Sequence, residues 1–392
     1  MEKKVFLKKD KERFVKQNRH PWIFSGAIES FPEGFSSGDV ASLYSHEGEF
    51  LAIAYFNIDN SLSGRILSFE KKPIKEIIQE KIASAVSFRK SLFTPSETNC
   101  FRCVNAEEDG LPGLIVDLYD NIVVIQINTL GMDKLRLIVT EALIKELSPL
   151  SIYEKSNSSS RLQESLEKQE GLLYGEPVSE VIVRENGILF AVSITDGQKT
   201  GFFLDQREMR KKIGELSKGK SILNCFAYSG GFSLFALKGG AKEVTSVDSC
   251  LTAVELAVKN TELNDFSLDK HHVVRDDVFN FLEEEDLSLY DIIILDPPAF
   301  AKKRQDVEPA SRGYKQLNQS VFERCKKNTF LLTCSCSYFI DDSLFKQILF
   351  QAASAAKREV KILQSHIHAL DHPISLYHPE GDYLKSFLLW IV

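Results

Sequence analysis

The second half of the chain alternates short apolar stretches with stretches of helical character, beginning near residue 195. The apolar stretches predict strands at residues 221–225, 243–247, 271–275, 290–295 and 328–333, with two later strands near 360–364 and 384–391. Strands that alternate with helices form a doubly wound, mostly parallel α/β sheet, because each connecting helix packs back against the sheet. Ligands of such sheets bind at the carboxyl ends of the strands, so the site is expected there.

The first of these strands, 221–225, leads into the turn Tyr228-Ser229-Gly230-Gly231 and then a helix. The turn lacks the Gly-x-Gly-x-x-Gly spacing of dinucleotide sites and the Gly-Lys-Ser/Thr sequence of ATP-hydrolysing phosphate loops. Acidic residues follow the next three strands, at Asp248, Asp277 and Asp296. Any one of them can be a helix N-cap, but three at successive strand ends favour a ligand site.

An S-adenosylmethionine site needs no pyrophosphate cradle, and these strand ends match its other requirements. The turn lets the backbone approach the amino-acid part, Asp248 suits the ribose hydroxyls and Asp277 suits the adenine amino group. In Asp296-Pro297-Pro298 the paired prolines fix an extended turn that holds the carboxylate beside the reactive end of the cofactor. Methyltransferases acting on amino groups typically carry Asn at this position, whereas Asp suits a base ring that accepts a proton.

A cysteine pair, Cys334 and Cys336, closes the strand predicted at 328–333. A buried cysteine is most often inert packing, but these two fall at the carboxyl end of a strand, on the predicted active edge. C5 of a pyrimidine becomes nucleophilic enough to accept a methyl group when a thiolate adds to C6. Strand alternation points both side chains to the same face, so the pattern does not choose between them.

Composition restricts the class of protein. The chain has seven cysteines, an odd number, and no stretch of about 18 apolar residues, which predicts reduced thiols, a cytoplasmic location and no membrane span. Cys100-x-x-Cys103 has no second pair at a suitable spacing, so no metal site is expected. The net charge of −7 disfavours a general nucleic-acid coat, yet a basic cluster opens the chain and is either a solvated face or a partner surface. Its members are Lys3, Lys4, Lys8, Lys9, Lys11, Arg13, Lys16 and Arg19.

The chain divides by pattern into three regions. Residues 1–72 are β-rich, with strands predicted at 40–44, 50–57 and 62–67. Residues 73–193 are α+β: helices at 73–95 and 132–147, strands at 114–119, 122–128, 151–155, 181–185 and 188–193, and a flexible surface excursion at 156–169. Residues 194–392 form the doubly wound region.

The chain resembles the bacterial 23S ribosomal RNA large-subunit methyltransferase I family, PUA-domain enzymes that form 5-methylcytosine, over nearly its whole length. Several long motifs in one order carry the resemblance. They are His20-Pro21-Trp22-Ile23-Phe24-Ser25-Gly26, residues 108–114, Lys199 to Arg207, Asn224 to Phe232, Arg275 to Phe279, Asp296-Pro297-Pro298-Ala299-Phe300, Arg312-Gly313-Tyr314-Lys315, Ser335-Cys336-Ser337 and Pro379 to Lys385.

The resemblance implies a PUA-like RNA-binding domain at 1–72, a central domain at 73–193 and a Rossmann-like class I methyltransferase domain at 194–392. It implies S-adenosylmethionine as cofactor and a cytosine of 23S ribosomal RNA as substrate. Cys336 maps onto the nucleophile, with Asp296 orienting or protonating the base edge. Ala299 replaces a residue that is often Lys, and Lys302, Lys303 and Arg304 can compensate. The cofactor-binding residues implied are Lys199, Thr200, Gln206, Asn224, Phe226, Tyr228, Ser229, Gly230, Asp248, Asp277 and Asp296.

Two other interpretations stay open at this point. One is an RNA-binding or ribosome-assembly factor whose methyltransferase domain does not catalyse, although the intact Asp-Pro-Pro and Ser-Cys-Ser segments count against it. The other is a methyltransferase that acts on another base, such as uracil C5, or on another RNA. The sequence is also compatible with a homodimer.

Overall fold

The computed structural model describes residues 2–197 and 199–392, and the chain packs as two compact units. One unit comprises Met1–Arg184, Val192–Leu204 and Leu370–Gly381; the other comprises Glu185–Ala191, Asp205–Ala369 and Asp382–Val392. The first unit therefore contains most of the two regions predicted at 1–72 and 73–193, and the boundaries of the three predicted domains stay predictions. Within the described residues, no helix has the length and apolar character needed to cross a membrane.

A six-stranded sheet occupies the start of the first unit. Its strands are β1 (Lys4–Leu7), β2 (Trp22–Phe24), β3 (Ile28–Ser30), β4 (Asp39–Tyr44), β5 (Phe50–Phe56) and β6 (Leu62–Ser68), with the single-turn helix α1 (Arg13–Lys16) after β1. Their order is β2-β6-β5-β4-β1-β3. Ala52, Ala54 and Phe56 of β5 are buried in one core, while Ile53 and Tyr55 are buried in another. This strand reads as a continuous apolar run because it is buried on both faces.

A second sheet in this unit has five strands in the order β11-β10-β9-β8-β7. Buried residues of α2, such as Ile77, Ile78 and Ile82, share a core with β7, β8 and β9. The elements are α2 (Ile74–Leu92), β7 (Cys100–Asn105), β8 (Leu114–Tyr119), β9 (Ile122–Ile127), α3 (Leu130–Lys134), α4 (Arg136–Leu147), β10 (Ser151–Ser156), α5 (Ser160–Gln163) and β11 (Gln169–Gly175). Two further strands, β12 (Glu180–Glu185) and β13 (Ile188–Ser193), form a two-stranded sheet.

The second unit is built on a seven-stranded sheet. Its elements are α6 (Arg207–Leu216), β14 (Ser221–Cys225), α7 (Gly231–Lys238), β15 (Glu243–Asp248), α8 (Leu251–Leu263), β16 (His271–Arg275), α9 (Val278–Glu284), β17 (Ile292–Leu295), α10 (Val307–Arg324), β18 (Thr329–Ser335), α11 (Asp342–Ala355), β19 (Val360–His366) and β20 (Lys385–Ile391). The strand order is β16-β15-β14-β17-β18-β20-β19, and β20 runs antiparallel to both neighbours.

This sheet confirms the predicted doubly wound, mostly parallel fold. β14 pairs in parallel with β15 on one side and with β17 on the other, so the chain order reverses at β14. Adjacent residues of β14 are buried in two different apolar clusters: Leu223 belongs to one cluster and Ile222 to the other. Because ligands of open α/β sheets bind where the strand order reverses, the crevice beyond β14 is the expected site.

Five strands were not among those predicted from the sequence: β1, β2, β3, β7 and β11. The helix predicted at 132–147 is two helices, with Leu135 between them. The excursion predicted as flexible at 156–169 is held by a buried arginine, since Arg161 donates to the carbonyls of Ile127 and Glu167. A serine-rich composition does not reveal this anchor, because one of its acceptors, Ile127, lies 34 residues away in the chain.

Candidate active site

The turn after β14 has an unusual backbone. Phe226 (φ 58°), Tyr228 (φ 45°) and Gly230 (φ 78°) are all in the left-handed region, which non-glycine residues rarely adopt. Such conformations cost on the order of 1–3 kcal/mol each and concentrate at functional sites. The Tyr228 amide is fixed by a 2.9 Å hydrogen bond that it donates to Asp248 Oδ2. The predicted turn is therefore a constrained loop tied to the end of the neighbouring strand.

Asp248 ends β15 and is partly buried. Its Oδ2 accepts from the Tyr228 amide and its Oδ1 accepts from the Cys250 amide, both at 2.9 Å. Each carboxylate oxygen has two lone pairs, so an oriented carboxylate of this kind can still accept hydrogen bonds from a hydroxylated ligand.

Asp277 follows β16 and is the N-cap of α9. Its Oδ1 accepts from the amides of Phe279 (2.9 Å) and Asn280 (3.3 Å), while Oδ2 accepts no hydrogen bond from the described residues. The residue thus has the capping role that its sequence allowed. The side chain is exposed, so capping by one oxygen leaves the other accessible to a ligand.

Asp296 follows β17 and accepts a 3.0 Å hydrogen bond at Oδ1 from Gln206 Nε2. Gln206 is buried at the end of a short 3₁₀ turn, Leu204–Gln206. Two residues that the sequence assigned to one site are therefore in direct contact. An amide donor orients the carboxylate without neutralising its charge.

The two cysteines of β18 differ sharply in environment. Cys334 is 0% exposed, and burial, followed by the nearby charge of Asp296, raises the pKa of its thiol well above the ordinary value. Cys336 lies just beyond the strand and is partly exposed, with its Sγ 3.9 Å from the carbonyl oxygen of Pro297. A reactive cysteine must be able to form an accessible thiolate, so Cys336 is the candidate of the pair.

Ser337 of the Ser-Cys-Ser motif contacts Ala301, next to the Asp-Pro-Pro segment, and Tyr314 of the Arg-Gly-Tyr-Lys motif. Its Oγ accepts from the Ala301 amide at 3.1 Å and lies 3.0 Å from the hydroxyl of Tyr314 on α10. The Tyr314 ring is 4.7 Å from the ring of Phe300, which belongs to the Asp-Pro-Pro segment. Sequence reasoning assigned no role to Tyr314 or Ser337; their membership in the Arg-Gly-Tyr-Lys and Ser-Cys-Ser motifs was the only signal.

The remaining turn residues are used in packing. Asn224 is buried and donates from Nδ2 to Ser233 Oγ on α7 at 2.9 Å. Phe226 packs against the apolar core, and the carbonyl of Ser229 accepts from Asn260 at 3.0 Å. A Cβ on Gly230 would lie 3.3 Å from the Cβ of Ala257, so helix α8 approaches the turn closely there. These contacts fix the side chains of the loop, so its backbone groups are the part that can face a ligand.

Lys199 and Thr200 belong to the first unit, unlike the other predicted cofactor residues. Thr200 is buried, donates to Asp117 Oδ2 at 2.5 Å and lies 3.0 Å from the hydroxyl of Tyr119. The Lys199 ammonium lies 4.3 Å from the centre of the Phe203 ring. The second unit by itself therefore brings together Gln206, Asp296 and Cys336 but not these two residues.

Comparison with known proteins identifies two matching families. Residues 162–359 match the family described as S-adenosylmethionine-dependent methyltransferase, and residues 5–69 match the PUA-like domain family. The predicted fold class and the predicted cofactor are both confirmed by these matches. Six of the eight members of the basic cluster, from Lys8 to Arg19, fall in the PUA-like match, and the strand-end acids fall in the methyltransferase match.

Full-length relatives are similar over the whole chain. Ribosomal RNA large subunit methyltransferase I of Vibrio vulnificus (strain CMCP6) is 38% identical with 99% of each chain covered, and that of Aliivibrio fischeri (strain ATCC 700601 / ES114) is 37% identical at the same coverage. The crystal structure of SMU.776 complexed with SAH has a TM-score of 0.85 and 26% identity, and covers 100% of both chains. A further solved structure, from Streptococcus mutans, has a TM-score of 0.83 at 26% identity, again with 100% of both chains covered.

Proposed function

The chain belongs to the ribosomal RNA large subunit methyltransferase I family, and on that premise we propose that it methylates C5 of a cytosine in 23S ribosomal RNA through a covalent adduct of Cys336. One observation carries the proposal: the accessible thiol of Cys336 lies 3.9 Å from the Asp-Pro-Pro turn, whereas Cys334 is buried. A ribosomal RNA substrate also implies action in the cytoplasm of a bacterium.

The residues at the strand ends fit S-adenosylmethionine. Asp248 offers oriented acceptors to the ribose hydroxyls, Asp277 keeps one oxygen for the adenine amino group, and the left-handed turn offers its backbone to the amino-acid part. When bound, the cofactor supplies an electrophilic methyl group. Gln206 orients the Asp296 carboxylate, and the assignment of Lys199 and Thr200 as cofactor-binding residues stays a prediction.

Cys336 is the nucleophile in the proposed reaction. Its thiol loses a proton, and the thiolate forms a bond to C6 of the cytosine, which makes C5 nucleophilic as the ring nitrogen N3 gains or shares a proton. After C5 has accepted the methyl group, C5 loses its proton to solvent, N3 gives back the proton that it gained, and the S–C6 bond breaks. That step restores the ring double bond and regenerates the thiolate.

Asp296 acts at the base edge. Its carboxylate is held by the Gln206 amide and by the rigid Pro297-Pro298 turn, so it orients or protonates the cytosine edge while C6 is attacked. An aspartate is better suited than an asparagine to this task, because only a carboxyl group can exchange a proton with the ring. This is the reason to favour a ring carbon over an exocyclic amine as the target.

The PUA-like region is proposed to hold the RNA. A cavity of about 420 Å³ there is lined by Lys11, Phe14, His20, Trp22 and Phe24 among others, and none of its lining residues is acidic. Phe14 and Phe24 are 57% and 54% exposed, and the basic cluster of the N-terminus lies in the same segment. Exposed aromatic rings beside cations suit single-stranded RNA, whose bases stack while its phosphates attract lysines.

The decisive experiment maps methylated nucleotides in 23S ribosomal RNA by mass spectrometry, in a strain lacking this protein and in strains complemented with variants. We expect one 5-methylcytosine to disappear and to return with the wild type. Cys336→Ala should fail to restore it, whereas the matched variant Cys334→Ala should succeed because that thiol is buried and not ionised. Both variants should bind S-adenosylmethionine with wild-type affinity by calorimetry.

Other outcomes separate the alternatives. Full activity of Cys336→Ala would sink the covalent mechanism, and loss of a methylated uracil would change the target base. A chain that binds no S-adenosylmethionine would be an RNA-binding or assembly factor. A direct test uses RNA containing 5-fluorocytosine, which cannot lose a proton from C5; it should trap a stable complex with the wild type and none with Cys336→Ala.

A further inference from the structure

Lys385 is a buried cation next to the segment that carries Cys336. It begins β20, where it is the pairing partner of Ser335 on β18, and only 3% of it is exposed. Its Nζ donates to the carbonyl oxygens of Ser337 at 2.8 Å and Tyr383 at 2.7 Å. The ammonium therefore binds the residue that follows Cys336, and the strand pairing of Lys385 with Ser335 fixes the residue that precedes it.

The acceptors of this ammonium are both neutral. None of the described carboxylates lies within ion-pair distance of Lys385. Burying a cation without an anion is unfavourable, and it is seldom retained unless an anion forms beside it. Burial lowers the pKa of Lys385 to about 8, while the charges of Asp382 and of an ionised Cys336 act in the opposite direction.

We propose that Lys385 is a positioning residue for Cys336, which fixes the Ser337 carbonyl and supplies the positive charge that favours the Cys336 thiolate. This rests on the proposed role of Cys336 as the nucleophile. An ammonium has three N–H donors, and two of them are used on carbonyls. Near neutral pH the ammonium is charged, so the proton lost from Sγ goes to solvent and the thiolate remains next to a cation.

The acidic groups near Lys385 have other partners or a raised pKa. Asp341 caps α11 by accepting from the Leu344 amide at 2.8 Å, and Asp342 pairs with Lys346 at 2.6 Å. Burial raises the pKa of Asp382 in the turn before β20. These acids reduce the positive field of Lys385 at Cys336 without cancelling it.

The other titratable groups around this segment stay neutral near pH 7. Burial raises the pKa of Tyr314, on α10, to about 12, and it raises the pKa of Cys334 well above its ordinary value. On β19, burial lowers the pKa of His366, which lies near β20. His368 accepts from the Leu384 amide at 3.1 Å. Two further acids lie nearby: the charge of Asp296 acts on Cys334, and Asp205 accepts from the Tyr383 hydroxyl at 2.7 Å.

The test measures the ionisation of Cys336 without any methylation assay. The full-length protein is treated with iodoacetamide across pH 6–10, and alkylation of the Cys336 peptide is followed by mass spectrometry. The wild-type midpoint should lie below about 8.5, the ordinary value for a thiol. Lys385→Met should raise the midpoint by about one pH unit, which slows alkylation at pH 7 about tenfold. Lys385→Arg keeps the charge and should restore most of the rate.

Internal controls come from the same chain. Cys250 is exposed and has a thiol of its own, so its peptide should be alkylated equally in all three proteins. Equal Cys336 midpoints in the wild type and Lys385→Met would overturn the proposal and leave Lys385 a purely structural residue. If Lys385→Met does not fold, a wild-type midpoint at or above 8.5 overturns it equally well.

Failure of this inference is distinguishable from failure of the proposed function. If Cys336→Ala still methylates RNA, the covalent mechanism falls whatever the alkylation data show. If Cys336→Ala is inactive but Lys385→Met leaves the midpoint unchanged, only the role of Lys385 falls.

Discussion

Two buried polar regions of this protein are held by opposite means. In the first unit, Arg89 is 0% exposed and forms two hydrogen bonds with Asp109, at 2.6 and 2.8 Å. Arg102 pairs in the same way with the buried Asp117, at 2.7 and 3.2 Å. In these pairs each charge neutralises another, which is the arrangement of a structural element.

At the strand ends of the second unit, neutral groups hold the charged ones. Asp248 accepts from backbone amides, Asp296 accepts from Gln206, and Lys385 donates to carbonyls. Amides and carbonyls orient a charge without cancelling it, so the field stays available to a ligand or a reacting group. The difference shows how the same residue types stabilise the fold in one region and are left available for chemistry in another.

Two buried histidines repeat this difference. His378 of the first unit lies 2.7 Å from Glu108; burial lowers its pKa, but the hydrogen bond and charge of Glu108 outweigh burial and raise it. His271 of the second unit lies 2.7 Å from Ser246 Oγ and 2.6 Å from Thr261 Oγ1, and burial lowers its pKa to about 4. A carboxylate partner favours the protonated form of one imidazole, whereas burial among hydroxyl partners favours the neutral form of the other.

The largest effect is expected where a buried ion pair is broken. Asp109→Asn leaves the fully buried Arg89 without its anion and should lower the free energy of unfolding by about 3–5 kcal/mol, measured by urea denaturation. The matched variant Asp120→Asn alters an exposed turn residue and should change it by less than about 0.5 kcal/mol. A small effect of Asp109→Asn would mean that the paired network of the first unit contributes little to stability.

A smaller effect concerns pH and the second unit. His271 stays neutral in the folded protein between its ordinary pKa of 6.5 and about 4, whereas the unfolded chain binds a proton there. The contribution of His271 to the free energy of unfolding should therefore be complete above pH 6.5. The free energy of unfolding should fall by about 3 kcal/mol as the pH drops from 6.5 to 4.

His271→Gln should remove this part of the pH dependence, and His272→Gln, at the exposed neighbour, should keep it. Urea denaturation at several pH values measures the slope, so a general loss of stability in either variant does not disturb the comparison. An unchanged slope in His271→Gln would show that the imidazole is not kept neutral by its surroundings.

The smallest effect separates capping from ligand binding at Asp277. Asp277→Ala removes the N-cap of α9 and should cost about 1 kcal/mol of stability. Asp277→Ser keeps a capping oxygen but loses the carboxylate, so stability should hold while S-adenosylmethionine affinity, measured by calorimetry, falls in both variants. Wild-type affinity in Asp277→Ser would assign the residue to capping alone.

The sequence predicted the strands of the second unit well because several are apolar runs and all alternate with helical stretches. Strands β14 and β16 were predicted at the residues where they occur, and β15, β17 and β18 were predicted within one or two residues at either end. The pattern failed for β7, where Arg102 interrupts the apolar run. Its guanidinium pairs with Asp117 of the neighbouring strand, a partner that the local sequence does not reveal.

The sequence by itself determined the α/β order of the second unit, the acids that follow its strands and the family to which the motifs belong. Strand alternation left Cys334 and Cys336 on one face, and only the family resemblance favoured Cys336. The tertiary structure adds that Cys334 is buried and Cys336 is partly exposed, a difference that depends on where β18 stops and what covers it. For the same reason only the structure revealed Asp277 as a cap and Lys385 as a buried cation beside the candidate nucleophile.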